Sequence, residues 1–317
     1  MEKMIAMRED AVKTFFLGVE VYAFGIYVAL GMALALVVLF LLLRREKWKQ
    51  GTAALTGVLA VGVGFLVSRL FFGLMDEALG QAMPLWAMAR LNNGGYSMMG
   101  ALLGASMGGI LAAGLTKQSA PRMLDLLAPA LLLFVACERL GEGHIEEFGV
   151  SRTLTDTLFQ GTFLGVEGEY GWRLATYLLE SFVMLLLALV LLKDLGGHHR
   201  AGDTFLLFLL LFGGCQVLLE SLRYDRHMTV KAFVKLQQVM AMALLGAGVI
   251  TLAVRRWKTR HMLAVAALIA IPLTVGLGVL IEFMIDRTRI SHYLLYLAFL
   301  LVVAVPVVLG IRLRKEA

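Results

Sequence analysis

Long apolar runs, separated by short polar stretches, dominate this chain. Nine of them, at about 18–43, 53–74, 97–115, 123–138, 174–192, 204–222, 234–254, 262–284 and 292–311, come close to the roughly 20 residues a helix needs to cross hydrocarbon. Nine runs of this length predict an all-α, polytopic helical membrane protein. The first run is too long for a signal-peptide core and no small-residue cleavage site follows it, which makes it a retained helix. The larger intervening stretches are residues 75–96 and 139–173, the second acidic and rich in glycine.

Composition agrees with that reading. Of the 317 residues 60% are hydrophobic and 16% charged, a balance that two soluble domains of this length would not show. Lys and Arg collect at alternate helix ends: Arg44, Arg45, Lys47 and Lys49; Lys117 and Arg122; Lys193 and Arg200; Arg255, Arg256, Lys258 and Arg260; Arg312, Arg314 and Lys315. The bias of cationic residues towards the cytoplasm predicts that this side is cytoplasmic, with the N-terminus outside and the C-terminus inside. The net charge of +6 is scattered in juxtamembrane clusters, which suits anionic headgroups and membrane lipids and argues against nucleic acid as a partner. Trp48, Trp86, Trp172 and Trp257 fall at predicted helix ends, where amphipathic aromatics settle. Cys137 and Cys215 lie inside apolar runs and read as small buried hydrophobes.

The charged residues within or against the apolar runs carry the functional signal: Glu20, Arg69, Asp125, Glu138, Arg139, Glu180, Glu220 and Arg223. Ionisable groups at membrane depth cost several kcal/mol and therefore tend to mark working sites. The run from Leu124 to Cys137 ends directly in Glu138 and Arg139. Guanidinium groups near one membrane face suit a phosphodiester, because they offer paired donors and keep their charge. Glu220 and Arg223 are three apart and share a helix face, which fits either a site or a pair that locks two helices. Gly100, Gly104 and Gly108 form a stripe that close helix packing explains. Glu142, His144, Glu146 and Glu147 are dense but match no established ligand spacing, so no metal is expected.

Several segments together resemble the prolipoprotein diacylglyceryl transferases of the bacterial inner membrane, in the family's order across about residues 18–255. Val21 to Gly25 is similar to its Val-x-x-Tyr-Gly. Ser68 to Phe72 resembles Ala-Arg-Leu-Tyr-Tyr, giving Arg69 a counterpart. Gly94 to Gly104 is similar to Gly-Gly-x-x-x-His-Gly-Gly-x-x-Gly. Asp125 through Ala128, Pro129, Arg139, Gly141 and Glu147 resembles the signature loop. Thr176 to Ser181 resembles the end of His-Pro-Thr-Phe-Leu-Tyr-Glu-Ser. Glu220, Leu222, Arg223 and Asp225 follow Glu-x-x-Arg-x-Asp.

The resemblance implies a seven-helix family-like core over residues 1–255 and two extra C-terminal transmembrane helices over 256–317. It also implies the activity: transfer of the diacylglyceryl group of phosphatidylglycerol to the lipobox cysteine thiol of a preprolipoprotein, whose signal peptide is the second partner. The reaction belongs at the outer face of the bacterial cytoplasmic membrane and needs no cofactor. Arg139 and Arg223 are the expected phosphate-stabilising groups, with Glu147 and Glu220 holding them, Glu142 a candidate base beside Glu138 and His144, and Arg69, Gly141, Gln216 and Met99 lining the substrate site.

The departures fall in that same site. Met99 stands where the family has histidine or tyrosine, Phe24 where it has tyrosine, Gln216 where it has arginine, Glu142 where it has asparagine and Glu138 where it has glycine. One positive charge is gone and two carboxylates have arrived. These changes keep two other readings open, the same fold acting on another acceptor and a non-catalytic protein that binds lipid or lipoprotein.

Overall fold

The computed structural model describes residues 12–16, 19–78, 95–145, 149–153, 158–168, 171–197, 200–224, 229–231, 234–288 and 290–315. Among them are nine helices: α1 (Ala23–Arg45), α2 (Gln50–Ala78), α3 (Met98–Thr116), α4 (Ala120–Glu142), α5 (Thr176–Asp194), α6 (Asp203–Leu222), α7 (Leu236–Arg256), α8 (His261–Arg287) and α9 (His292–Lys315). Eight are long and apolar enough to span a bilayer; α4, which carries Asp125, Glu138, Arg139 and Glu142, is the exception. Leu and Val side chains such as Val58, Leu294 and Leu301 remain well exposed along the helices, as surfaces facing lipid tails do. The chain is a polytopic helical membrane protein.

All nine predicted runs form helices, and the differences lie at their ends. The first helix begins at Ala23, because residues 12–22 supply an antiparallel hairpin, β1 (Val12–Phe16) with β2 (Val19–Tyr22), which pairs Phe15 with Glu20. Two further hairpins follow: β3 (Gly165–Gly168) with β4 (Gly171–Leu174), and β5 (Thr229–Lys231) with β6 (Val234–Lys235). All three precede or join helices at the same end of the bundle, where α4 and α6 finish and α5 and α7 begin. Trp172 lies on β4, not at a helix end, with its ring edge against Gly165; Trp86 is outside the described residues. α4 continues to Glu142, a turn past the expected end, so Arg139 and Glu142 are helical. No breaker stands between Glu138 and Gly141, and an arginine in the last turn is favoured by the helix dipole.

The glycine stripe packs as expected. A Cβ on Gly104 would lie 2.6 Å from the Val63 carbonyl oxygen and 2.8 Å from Gly64 Cα, and one on Gly108 would strike the Leu59 carbonyl. The backbones of α2 and α3 therefore touch, and this holds Arg69 at the end of the bundle that carries the hairpins.

At the opposite end, charged side chains tie the helix termini together. Asp125 on α4 is fully buried and accepts from the backbone N–H groups of Gly202 (2.7 Å) and Phe205 (2.8 Å), capping α6 from another helix. Arg314 on α9 pairs with Asp194 on α5 and donates to the Asp203 carbonyl at 3.0 Å. Towards the other end Tyr296 of α9 donates to the Ser221 carbonyl (3.2 Å), and Gln238 of α7 donates to Glu282 of α8 (2.6 Å) and to the Val217 carbonyl of α6 (3.3 Å). α8 and α9 thus pack on α6 and α7 along their length.

Gly108→Ala places a methyl group into the Leu59 backbone and is expected to destabilise the protein by about 1–3 kcal/mol, the usual cost of overpacking. Thermal unfolding in detergent should show a lower midpoint; an unchanged one would contradict the α2–α3 backbone contact.

Candidate functional site

The bundle end that carries the hairpins holds a buried charged cluster built from three helices. α4 supplies Glu138, Arg139 and Glu142 in its last two turns, α5 supplies Glu180 in its second turn, and the chain leaving α6 supplies Arg223. Arg223 caps α6 with extended backbone (φ −72°, ψ 141°). That break in the helix sends its side chain across the bundle towards α4 and α5.

Glu142 bridges the two arginines. Its Oε1 pairs with Arg139 Nη1 and its Oε2 lies 2.8 Å from Arg223 Nη1. Glu180 makes a second bridge, with Oε2 2.9 Å from Arg139 Nε and its two oxygens 3.2 and 3.3 Å from Arg223 Nη1. All four side chains are 1% exposed or less. Glu138 lies 3.6 Å from Arg139 Nε, and its Oε2 is buried without a hydrogen-bond partner. Arg139 Nη2 also approaches Met98 Sδ at 2.9 Å.

The expected arginine pair converges, but the carboxylates bridging it are Glu142 and Glu180. Glu147 lies outside the described residues. Glu220, which is buried, accepts from Gln216 Nε2 at 3.4 Å and sits 3.8 Å from Lys235 Nζ. Lys235 also donates to the carbonyls of Glu220 (2.8 Å) and Arg223 (2.6 Å), fixing the backbone from which Arg223 projects. Gln216 is fully buried, and its Oε1 has no hydrogen-bond partner. Gly141 brings α4 against Phe24 and Tyr27 of α1, where a Cβ would come within 2.9 Å of Tyr27 Cβ.

Arg69 is buried on α2, donating to the Gly95 carbonyl at 2.7 Å with its guanidinium over the Tyr96 ring. The segment it holds leads into Met98 and so to Arg139. Met99, like Met98, is buried in the apolar core. His144 stacks on Tyr27, and the Glu142 carboxylate is held by both arginines.

Glu180, Met98 and Lys235 were absent from the expected site. A lone carboxylate four residues into the apolar run of α5 was a signal for Glu180. Lys235 and Met98 carried none, because a lysine at a helix start and a methionine in an apolar run are common in packed membrane helices.

Residues 12–254 match the family model for prolipoprotein diacylglyceryl transferase. The chain belongs to that family. Its curated relatives include the phosphatidylglycerol–prolipoprotein diacylglyceryl transferases of Bacillus licheniformis, 28% identical over 261 residues (77% of this chain and 91% of the relative), and Staphylococcus xylosus, 27% identical over 249 residues (76% and 88%). That of Bacillus cereus is 29% identical over 252 residues (74% and 88%). The family match ends before α8, while the arginine cluster, built by α4, α5 and α6, lies wholly inside it.

Removing one member of a buried ion network leaves the others uncompensated and typically costs about 3–5 kcal/mol. Arg223→Met should therefore lower the thermal midpoint strongly, and adding Glu142→Gln should restore part of the loss. Additive losses in the double variant would show that Arg223 and Glu142 do not share an ion pair.

Proposed function

We propose that this chain transfers the diacylglyceryl group of phosphatidylglycerol to the lipobox cysteine thiol of preprolipoproteins at the outer face of the bacterial cytoplasmic membrane. The observation that carries this reading is the convergence of Arg139 and Arg223, from separate helices, at one end of a chain of this family. The thiol sulfur attacks the glyceryl carbon, the carbon–oxygen bond to phosphate breaks, and a thioether and glycerol phosphate result. The two guanidiniums stabilise the departing phosphate, whose charge grows as that bond breaks. The thiol reacts only as thiolate, so its proton needs an acceptor. Glu138, with a buried oxygen free of hydrogen bonds beside Arg139, suits that task. Glu142 is engaged by both arginines and acts in this reading as their counter-ion.

In the same reading the hairpin-bearing end faces outwards, with the N-terminus outside and the C-terminus cytoplasmic. Residues 1–255 form the catalytic core, and 256–317 brace it through Tyr296, Glu282 and Arg314. One observation favours a second reading, in which the fold serves another acceptor or only binds lipid or lipoprotein: both guanidiniums are already matched by carboxylates.

Expression in a bacterium depleted of its own transferase, followed by mass spectrometry of a reporter lipoprotein, separates the two. The transferase reading expects a diacylglyceryl thioether on the lipobox cysteine, reduced about 100- to 1000-fold by Arg139→Ala, as for loss of one transition-state donor. An unmodified cysteine, with the protein inserted in the membrane, supports the second reading.

A further inference from the structure

We propose that the Glu142 carboxylate occupies the place of a lipid phosphate between Arg139 and Arg223, and that the site takes up an anionic phosphodiester headgroup only by displacing it. This rests on the reading of the arginine pair as a headgroup site. Glu142 gives one oxygen to each guanidinium, Oε1 to Arg139 and Oε2 to Arg223. Two oxygens on one anionic centre, each directed at a different arginine, are what the non-bridging oxygens of a phosphodiester present.

Charge makes the exchange necessary. Arg139 and Arg223 already face Glu142 and Glu180, with Glu138 3.6 Å from Arg139. A further anion entering this dry cluster would meet carboxylates whose repulsion water does not screen. Entry of a phosphate is therefore coupled to departure of a carboxylate.

Helix position singles out Glu142 as the group that leaves. It is the last residue of α4, where the negative end of the helix dipole opposes a carboxylate, whereas Glu180 sits near the start of α5, where the dipole favours one. Glu142 also borders the non-helical chain at Gly149, which has φ +65° and whose absent Cβ would lie 3.0 Å from Glu142 Oε2. Glu180 is enclosed on α5 next to Ser181, which is bonded to the Ala136 carbonyl of α4 at 2.7 Å.

The test measures binding and transfer separately on the purified full-length protein in a neutral detergent. Native mass spectrometry titrates phosphatidylglycerol, glycerol 3-phosphate and, as a phosphate-free control, diacylglycerol. Glu142→Gln is expected to bind phosphatidylglycerol at least about tenfold more tightly than the unaltered protein, with no gain for diacylglycerol, and Glu180→Gln to gain less. A gain shared by glycerol 3-phosphate identifies the phosphate alone as the ligand; a gain confined to phosphatidylglycerol identifies the intact lipid. Equal or weaker binding by Glu142→Gln, or an equal gain in Glu180→Gln, overturns the proposal. Glu142→Asp, which keeps the charge and withdraws it by one methylene, guards against misfolding and should show an intermediate gain; no gain counts against the proposal. Tighter binding without modification of a reporter cysteine would leave the seat standing and remove the transferase reading. Modification without a change in binding would do the reverse.

Discussion

Two guanidiniums in a water-poor membrane protein interior impose the strongest constraint on this molecule. Neither is stable there alone, because the desolvation of an ion is offset only by close, well-directed counter-charges. Glu142 and Glu180 each touch both arginines, so the ends of α4, α5 and α6 are fixed relative to one another within hydrogen-bonding distances. The supporting contacts serve that cluster. Lys235 holds the Arg223 backbone, Ser181 ties α5 to α4, and Gly141 lets α1 close over the last turn of α4.

A second buried polar cluster at the far end, around Asp125, Asp194, Asp203 and Arg314, fixes the same helices at their other termini. Apolar packing between the two clusters is non-directional and would tolerate sliding, whereas the polar ends set the axial register. α9 contributes to both: Arg314 enters the far cluster, and Tyr296 holds the Ser221 carbonyl two residues before Arg223. The last helix, which lies beyond the family match, is thereby coupled to the backbone that presents one of the arginines.

Much of this was legible in the sequence because hydrocarbon leaves few choices. Each long apolar run had to be a helix, and the glycine stripe could only mean backbone contact. Arg139 and Arg223 stood out because ionisable groups at membrane depth are rare. The three hairpins were not legible, since short strands between long helices lack a periodic signal. The partners of the arginines were obscured for another reason. Glu220 and Arg223 share a helical face only if the helix continues through both, and it ends at Leu222. Arg223 then follows extended backbone towards Glu142 and Glu180, residues 81 and 43 positions away in the chain. Met98 and Met99 are both buried in the apolar core, and it is the sulfur of Met98 that meets Arg139.

Arg139 and Arg223 are proposed to form one headgroup-binding centre. The most direct test is an electron cryo-microscopy structure of the full chain in nanodiscs containing phosphatidylglycerol. A phosphate is expected between the two guanidiniums, with the Glu142 carboxylate turned out of that position. Guanidiniums directed to different faces of the bundle, or headgroup density seated away from both, would contradict it.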